Sequence, residues 1–189
     1  MPLPSLWLIS DARNDARLDG LVARMGGGLR MGLIYRHYHL PPAARRARFA
    51  VLARAARARA MPVVLAGPMA QARRWGADGA YGAAATIGPG AAGLRLVTAH
   101  GLRELALARR ARADLVLLSP VWPTRSHPGG KVLGLLRFAL MARRAAVPVI
   151  ALGGVTAARG RAARGCGAHG WAAIDGIGAV LPRRAPRRS

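Results

Sequence analysis

Short apolar runs alternate with longer segments rich in alanine, arginine and leucine along most of the chain. Each run is short enough for one buried strand. The segments between them, such as 102–112 and 135–145, repeat their apolar positions at helical spacing. This pattern predicts eight strands, at residues 6–10, 32–36, 62–67, 78–82, 94–99, 114–121, 148–154 and 170–176.

Eight alternating strand and helix units in one chain predict a single-domain α/β protein, the TIM (β/α)8 barrel. The segment "AAATIGPGAAG" after the fourth strand carries little helical signal, and we expect only a short turn of helix there. An open, doubly wound sheet is the alternative, but the glycine-rich GxGxxG turn that it needs is missing after the first strand. We expect the barrel to span residues 1–180 and a basic disordered tail to follow at 181–189.

The charge of the chain is strongly positive, with 30 Lys+Arg against 7 Asp+Glu and a formal net charge of +23. All of these cations except Lys131 are arginines. They recur along predicted helices such as 41–60, where Phe49, Leu52 and Ala53 form the inner stripe. Such an excess can mark a nucleic-acid-binding protein. Because the arginines fall on outer helix positions, we interpret them as a solvated face and expect no nucleic-acid partner.

The composition limits the class and location of the protein. A hydrophobic fraction of 52% is typical of a globular domain, and no apolar stretch reaches the roughly 18 residues of a membrane span, so we expect no membrane partner. Cys166 is the only cysteine, which rules out an intramolecular disulfide and indicates a cytoplasmic protein. The sequence leaves homo-oligomer formation open.

A glycine turn follows the seventh predicted strand, in "LGGVTAARG". In TIM barrels a phosphate site is often built from the loops after strands seven and eight. Gly153 and Gly154 would let backbone N–H groups approach an anion, and Thr156 would cap the helix behind them. A tight strand-to-helix turn without a ligand is the alternative.

The loop after the sixth strand, "SPVWPTRSHPGGKVLG", concentrates polar chemistry at the neighbouring position of the barrel. Thr124 and Ser126 could donate hydroxyl hydrogen bonds to a phosphate, and Arg125, His127 or Lys131 could neutralise its charge. A loop that serves only as a turn needs none of these side chains, so we expect a phosphate ligand here.

These segments resemble thiamine phosphate synthase and its TenI-type relatives. The resemblance rests on "VTAHGLRELALARRARADLVLLSPVWPTRS" and "PVIALGGVTAARGRAARGCGAHGWAAIDGI", and "LWLISD", "YRHY" and "GADGAYGA" fit the same order upstream. It implies the barrel already predicted. It also implies a transferase of thiamine biosynthesis that joins hydroxymethylpyrimidine diphosphate to thiazole phosphate, releasing diphosphate and giving thiamine phosphate.

The resemblance also implies roles for individual residues. Thr124 and Ser126 fall on the thiazole-phosphate clamp, and Thr98 stands where the family has a serine near the diphosphate. Arg36 matches the arginine of the family's Gln-Leu-Arg-x-Lys strand, with Ile34 and Tyr38 replacing the glutamine and the lysine. The backbone anion site is implied at Gly153 and Gly154, with Gly134 beside them.

The expected metal ligands are missing from the sequence. Where synthases carry Asn-Asp after strand three, this chain has Ala66 and Gly67, and Tyr81 replaces the histidine of a motif that supplies an aspartate after strand four. The family implies Mg²⁺ on the diphosphate, and Mg²⁺ prefers carboxylate and phosphate oxygens. Its ligands are not recognisable here; Asp78 is expected at the opposite end of the barrel, and Asp175 replaces a serine near a phosphate.

Three functions therefore stay open. The first is a divergent synthase, with Arg36 and His127 as the candidate catalytic residues. The second is a TenI-type tautomerase-like enzyme, which moves protons on a thiazole phosphate without metal and would use His127 or His100 as the proton carrier. The third is a non-catalytic protein that binds a phosphate ligand.

Overall fold

A computed structural model describes residues 2–26, 30–88, 92–126 and 128–181. Its eight parallel strands close into a barrel in chain order. Closure comes from the pairing of the first strand with the last, in which Leu6 lies opposite Trp171. The strands are β1 Leu6–Ile9, β2 Met31–Tyr35, β3 Val63–Ala66, β4 Gly79–Gly82, β5 Leu94–Ala99, β6 Leu115–Leu118, β7 Val149–Ala151 and β8 Gly170–Ala173.

A helix follows each of the first seven strands, and short single turns lie at Ala12–Asn14 and Gly176–Val180. Local sequence sets several of the helix ends. Thr156 caps the last helix, and Gly76 in the left-handed conformation ends the third. The helices are α1 Asp15–Arg24, α2 Pro42–Arg57, α3 Met69–Trp75, α4 Ala84–Ile87, α5 Leu102–Arg110, α6 Gly134–Ala142 and α7 Ala157–Gly165.

Alternation along the strands divides the buried side chains into two cores. One set fills the barrel interior, for example Trp7, Ile34, Leu96 and Leu117. The other set packs between the strands and the helices, where Phe49, Leu52 and Ala53 of α2 are buried as their spacing predicts. Because side chains alternate along a strand, two residues beyond an interior position is again an inward-facing position.

The predicted (β/α)8 architecture is confirmed, including the short turn of helix α4 after the fourth strand. Several predicted strands extend too far at their carboxyl ends. The sixth ends at Leu118, because Pro120 has no N–H to donate and Ser119 begins the loop. No helix in the described ranges is long and apolar enough to cross a membrane. Most of the predicted tail, residues 182–189, lies outside the described residues.

Candidate phosphate site at the barrel mouth

The carboxyl ends of the strands form the barrel mouth, which the alternation of side chains lines with polar groups. Arg36 lies two residues beyond Ile34, Thr98 two beyond Leu96, and both are half-buried. In a closed barrel the inward-facing positions at the carboxyl ends of all strands face the same mouth. Arg36 and Thr98 therefore both lie at the mouth, and their shared role in binding one ligand stays a prediction.

The loops after β6 and β7 are joined directly. The Val121 N–H donates to the Leu152 carbonyl at 2.9 Å, and the Trp122 N–H donates to the Gly153 carbonyl at 3.1 Å. A Cβ on Gly153 would lie 2.7 Å from the Cα of Pro120, and one on Gly154 would lie 2.2 Å from the Pro123 carbonyl oxygen. Only glycine fits at these two positions, so the double glycine serves the contact between the loops.

The same glycines leave backbone donors available. Gly153 and Gly154 both have positive φ, at 93° and 62°. Among the described residues, neither N–H donates to a protein acceptor. Immediately behind them Thr156 caps α7, accepting the Arg159 N–H at 3.3 Å. Two free N–H groups in front of a helix N-terminus suit an anion.

Among the described residues, the Thr124 and Ser126 hydroxyls of the β6 loop accept hydrogen bonds and neither donates one. The Oγ1 of Thr124 accepts the Ser126 N–H at 3.4 Å, and the Oγ of Ser126 accepts a hydrogen bond from Arg13 at 3.0 Å. Because each hydroxyl is used here as an acceptor, its own O–H can still donate to a phosphate oxygen. This loop borders a depression of about 570 Å³, lined by Pro123, Thr124, Arg125, Pro128, Gly129, Gly130 and Val132.

Arg13 is a component of the site that the sequence analysis missed. Its guanidinium contacts Ser126 after β6, Asp11 after β1 at 2.8 Å and Asp175 after β8 at 3.8 Å. It therefore links three loops and opposes the negative charge of Asp175. Partial burial disfavours ionised Asp11, but the hydrogen bonds from Arg13 together with the charges of Arg13 and Arg36 outweigh burial and lower the pKa of Asp11. The signal in the sequence is "SDARN", a capping box around Asp11 and Asn14.

Arg36 is held from behind by a buried polar network. Its backbone N–H donates to the Ser10 Oγ at 2.8 Å, and the Ser10 Oγ lies 2.8 Å from His37 Nδ1. His37 Nε2 is 2.9 Å from Asp15, which also binds Arg48 at 2.9 Å. Burial lowers the pKa of His37, against the opposing effect of Asp15.

The side chain of Arg36 lies among aromatic groups. Its Cζ is 5.5 Å from the centre of the Tyr38 ring, and Tyr38 is itself exposed in the turn after β2. Tyr81 from β4 lines the barrel interior near Arg36. Burial raises the pKa of Tyr81 to about 12, and the positive charge of Arg36 opposes this rise. Tyr81 is therefore neutral at physiological pH and offers an O–H and a ring face.

The remaining predicted residues take different places. The N–H of Gly134 donates to the Val121 carbonyl at 3.0 Å, so Gly134 closes the base of the loop and has no free N–H for an anion. His100, after β5, lies with Nδ1 2.7 Å from the Ser119 carbonyl oxygen. His127 lies outside the described residues.

Residues 6–177 match the profile of a family described as thiamine monophosphate synthase, TMP-TENI. The chain belongs to the thiamine monophosphate synthase family. It is similar to "Putative thiamine-phosphate synthase 2" of Aquifex aeolicus, with 35% identity over 41% of this chain and 42% of that protein. It is also similar to a thiamine-phosphate synthase of Geobacillus thermodenitrificans, with 36% identity over 43% of this chain and 38% of that protein.

These curated relatives are matched over about two fifths of their own length. Over a larger share, the fold is similar to that of a thiamine phosphate pyrophosphorylase from Pyrococcus furiosus. The TM-score is 0.76 at 21% identity, covering 90% of this chain and 85% of that one. At this identity the structural likeness supports the barrel fold alone.

The mouth does not fit the Mg²⁺ that the thiamine monophosphate synthase family implies. Ala66 lies buried inside the barrel, and the Gly67 N–H donates to the Tyr81 carbonyl. Asp78 accepts the Val63 N–H at the opposite end. Of the carboxylates described towards the mouth, Asp11 and Asp175 face Arg13, Asp15 and Asp19 bind Arg48, and Glu104 accepts the His100 N–H. A hard cation that prefers free carboxylate oxygens has no such set here.

One further cluster combines acid and imidazole groups, Asp15, His37 and His39, whose ligand atoms lie within 4.8 Å of one another. Here the same oxygen of Asp15 is bound by both His37 and Arg48. The guanidinium occupies the place of a cation, so this cluster is an ion-pair network and does not supply the missing Mg²⁺ ligands.

Proposed function

We propose that the protein is a cytoplasmic thiamine phosphate synthase-like transferase that couples hydroxymethylpyrimidine diphosphate to thiazole phosphate and uses arginine for the charge that Mg²⁺ carries in its family. The observation that supports this proposal is a set of unused hydrogen-bond donors at the carboxyl ends of β6 and β7. The free N–H groups of Gly153 and Gly154 and the hydroxyls of Thr124 and Ser126 all lie on the joined β6 and β7 loops. The family membership supplies the substrate class.

In the proposed reaction the phosphate of the thiazole binds these donors, with Arg13 next to Ser126. The thiazole nitrogen forms a bond to the methylene carbon of the pyrimidine while the bond from that carbon to the diphosphate oxygen breaks. The electron pair of the broken bond leaves with the diphosphate. In this proposal Arg36 and Thr98, at the carboxyl ends of β2 and β5, bind the leaving diphosphate, since a guanidinium can bind two phosphate oxygens at once.

A second function is favoured by the placement of His100. Its Nδ1 is the donor to the Ser119 carbonyl, because a carbonyl oxygen can only accept. In the neutral imidazole Nε2 is then unprotonated and can take a proton from a ligand. A metal-free tautomerase acting on the same thiazole phosphate would need this kind of base. A ligand binder without catalysis is the third candidate.

Two assays on the purified protein separate the candidates. The first measures thiamine phosphate formation from the two substrates with Mg²⁺ and with EDTA. We expect formation in both conditions, with a smaller loss in EDTA than a metal-dependent family synthase shows. The second follows deuterium exchange into thiazole phosphate. Exchange without coupling would support the tautomerase instead, and binding of thiazole phosphate with neither reaction would support the binder. Coupling that requires Mg²⁺ strictly would contradict the role given to arginine.

A further inference from the structure

The ion pairs of the described residues are all found towards the mouth of the barrel. They involve the loops after β1, β2 and β8 and the first halves of α1 and α2. They join Arg13 to Asp11 and Asp175, and Arg48 to Asp15 and Asp19, with His37 against Asp15. The positive charge near the mouth is therefore partly neutralised.

The opposite end of the barrel collects unpaired arginines. In a parallel barrel each helix runs back against the strands, so the last turns of all helices lie at the end away from the mouth. The three successive helices α5, α6 and α7 finish there with exposed arginines. We name this set the basic arc, which consists of Arg109, Arg110, Arg112, Arg143, Arg144 and Arg164.

Little negative charge accompanies the basic arc. In the part of the chain that the structure describes, none of its six arginines makes an ion pair. Asp114, just after α5, accepts the Arg95 backbone N–H at 2.8 Å, and Glu104 lies at the mouth end of α5 beside His100. Helix dipoles favour a cation at each helix C-terminus, but three helix ends do not require six.

The sequence pattern favours a solvated face for these arginines, but it does not show that they converge at one end of the fold. The closed barrel brings these arginines together at one end of the fold. We infer that the basic arc is a docking surface for duplex nucleic acid, which it binds through the phosphates without sequence preference. Neighbouring helices pack about 8–10 Å apart. A duplex carries about one charge per 1.7 Å of its axis, so arginines spread over three helix ends meet several phosphates at once. Arginine suits this contact because its planar group binds phosphate bidentately.

The surroundings of the arc favour a duplex over other polyanions. Proteins that bind single strands stack the bases on aromatic rings. Among the described residues the exposed aromatic side chain is Tyr38, which lies at the mouth. A membrane surface needs a broad apolar face beside the cations. In the last turns of α5 and α6 the structure describes Leu107 and Leu140 as exposed, which is too few for such a face.

The test compares the last turns of the three helices with earlier positions on the same helices. One variant carries Arg109→Gln, Arg143→Gln and Arg164→Gln; its matched control carries Arg103→Gln, Arg137→Gln and Arg161→Gln, which are exposed and lie nearer the mouth. Fluorescence anisotropy measures binding to labelled DNA and RNA duplexes of about 20 base pairs at about 50–200 mM salt. Melting curves and binding of thiazole phosphate show that both variants fold.

We expect the arc variant to bind a duplex about tenfold more weakly and to lower the slope of log affinity against log salt by about 2–3, because about one phosphate contact is lost per arginine. The control should keep most of the affinity and the slope. Equal losses in both variants would show a general charge effect and overturn the proposal. So would absence of duplex binding by the unmodified protein, or stronger binding to vesicles of anionic lipid than to the duplexes.

Discussion

The backbone N–H of Arg36 donates to the Oγ of Ser10 at 2.8 Å. This bond fixes Arg36, the residue after β2 that we propose binds phosphate, to Ser10, the residue after β1. Ser10 can accept this bond and still donate to His37 Nδ1, and His37 Nε2 then donates to Asp15. His37 is fully buried and has a positive φ of 38°. Histidine and asparagine adopt this backbone conformation more often than most residues do. The placement of Arg36 thus depends on a neutral, hydrogen-bonded histidine.

We predict that the protein loses stability in acid as His37 takes up a proton. The pKa of His37 is lowered from its ordinary value of 6.5 by burial, while Asp15 opposes and His39 and Arg48 reinforce the shift. The unfolded chain therefore binds a proton more readily, and the stability is complete above about pH 6.5 and declines as the pH falls below it. Asp15, whose pKa is also lowered, adds a further loss only below its ordinary value of 3.8.

Denaturant unfolding between about pH 5 and pH 8 measures this effect. His37→Asn should lower the free energy of unfolding by about 1–3 kcal/mol at neutral pH, because buried partners lose a hydrogen bond, and should flatten the decline below pH 6.5. His39→Asn is the control, since His39 is exposed next to the same network. An unchanged pH profile in His37→Asn would assign the acid effect to another group.

The barrel could be predicted from the sequence because it depends on local patterns, and the candidate phosphate site, which stays a prediction, was located by the same kind of pattern. Strand and helix periodicity indicated the eight units, and the glycine pair and the hydroxyl loop stood at strand ends. Arg13 could not be predicted, since its partners Ser126 and Asp175 are far along the chain and meet it only when β1 and β8 pair. The occupied N–H of Gly134 depends likewise on a loop geometry that the sequence does not encode locally.

The hydroxyl pair of the β6 loop should contribute directly to phosphate affinity. Thr124→Ala combined with Ser126→Ala should weaken thiazole phosphate binding by about 1–3 kcal/mol, because anionic oxygens lose their donors. Titration calorimetry measures the affinity. The exchange Thr124→Ser with Ser126→Thr keeps both hydroxyls and should bind close to the unmodified protein. If the alanine pair binds as tightly as this control, the phosphate lies elsewhere.

Arg13 should affect the same affinity through its charge. Arg13→Gln removes the cation that touches Ser126 and leaves Asp175 near the phosphate without an opposing charge, so we expect about tenfold weaker thiazole phosphate binding. The effect should shrink at high salt, because the guanidinium is partly exposed and therefore screened. Arg17→Gln, an exposed position on the first turns of α1, is the charge-matched control. Equal affinities for the two variants would remove Arg13 from the site.

The double glycine should tolerate no side chain. In Gly154→Ala the new Cβ would collide with the Pro123 carbonyl oxygen, and the positive φ adds strain, so the β6 and β7 loops must separate. We expect a loss of at least about 2 kcal/mol in unfolding free energy and loss of measurable phosphate binding. Gly165→Ala is the control, because a Cβ there meets open space at the end of α7. A stable Gly154→Ala protein that still binds thiazole phosphate would show that neither the close contact nor the free N–H groups are needed.

The role of Arg36 is tested most sharply by comparing two replacements in the coupling assay. If the guanidinium binds the leaving diphosphate in place of Mg²⁺, Arg36→Ala should abolish thiamine phosphate formation. Arg36→Lys should retain a small part of it, because lysine keeps the charge but not the bidentate geometry. Both should bind thiazole phosphate almost as well as the unmodified protein, since the donors for that phosphate lie on the β6 and β7 loops. Added Mg²⁺ should not rescue Arg36→Ala, because Ala66, Gly67 and Tyr81 offer no carboxylate to hold the ion. Rescue by Mg²⁺, or full activity in Arg36→Ala, would place the diphosphate against other residues of the mouth.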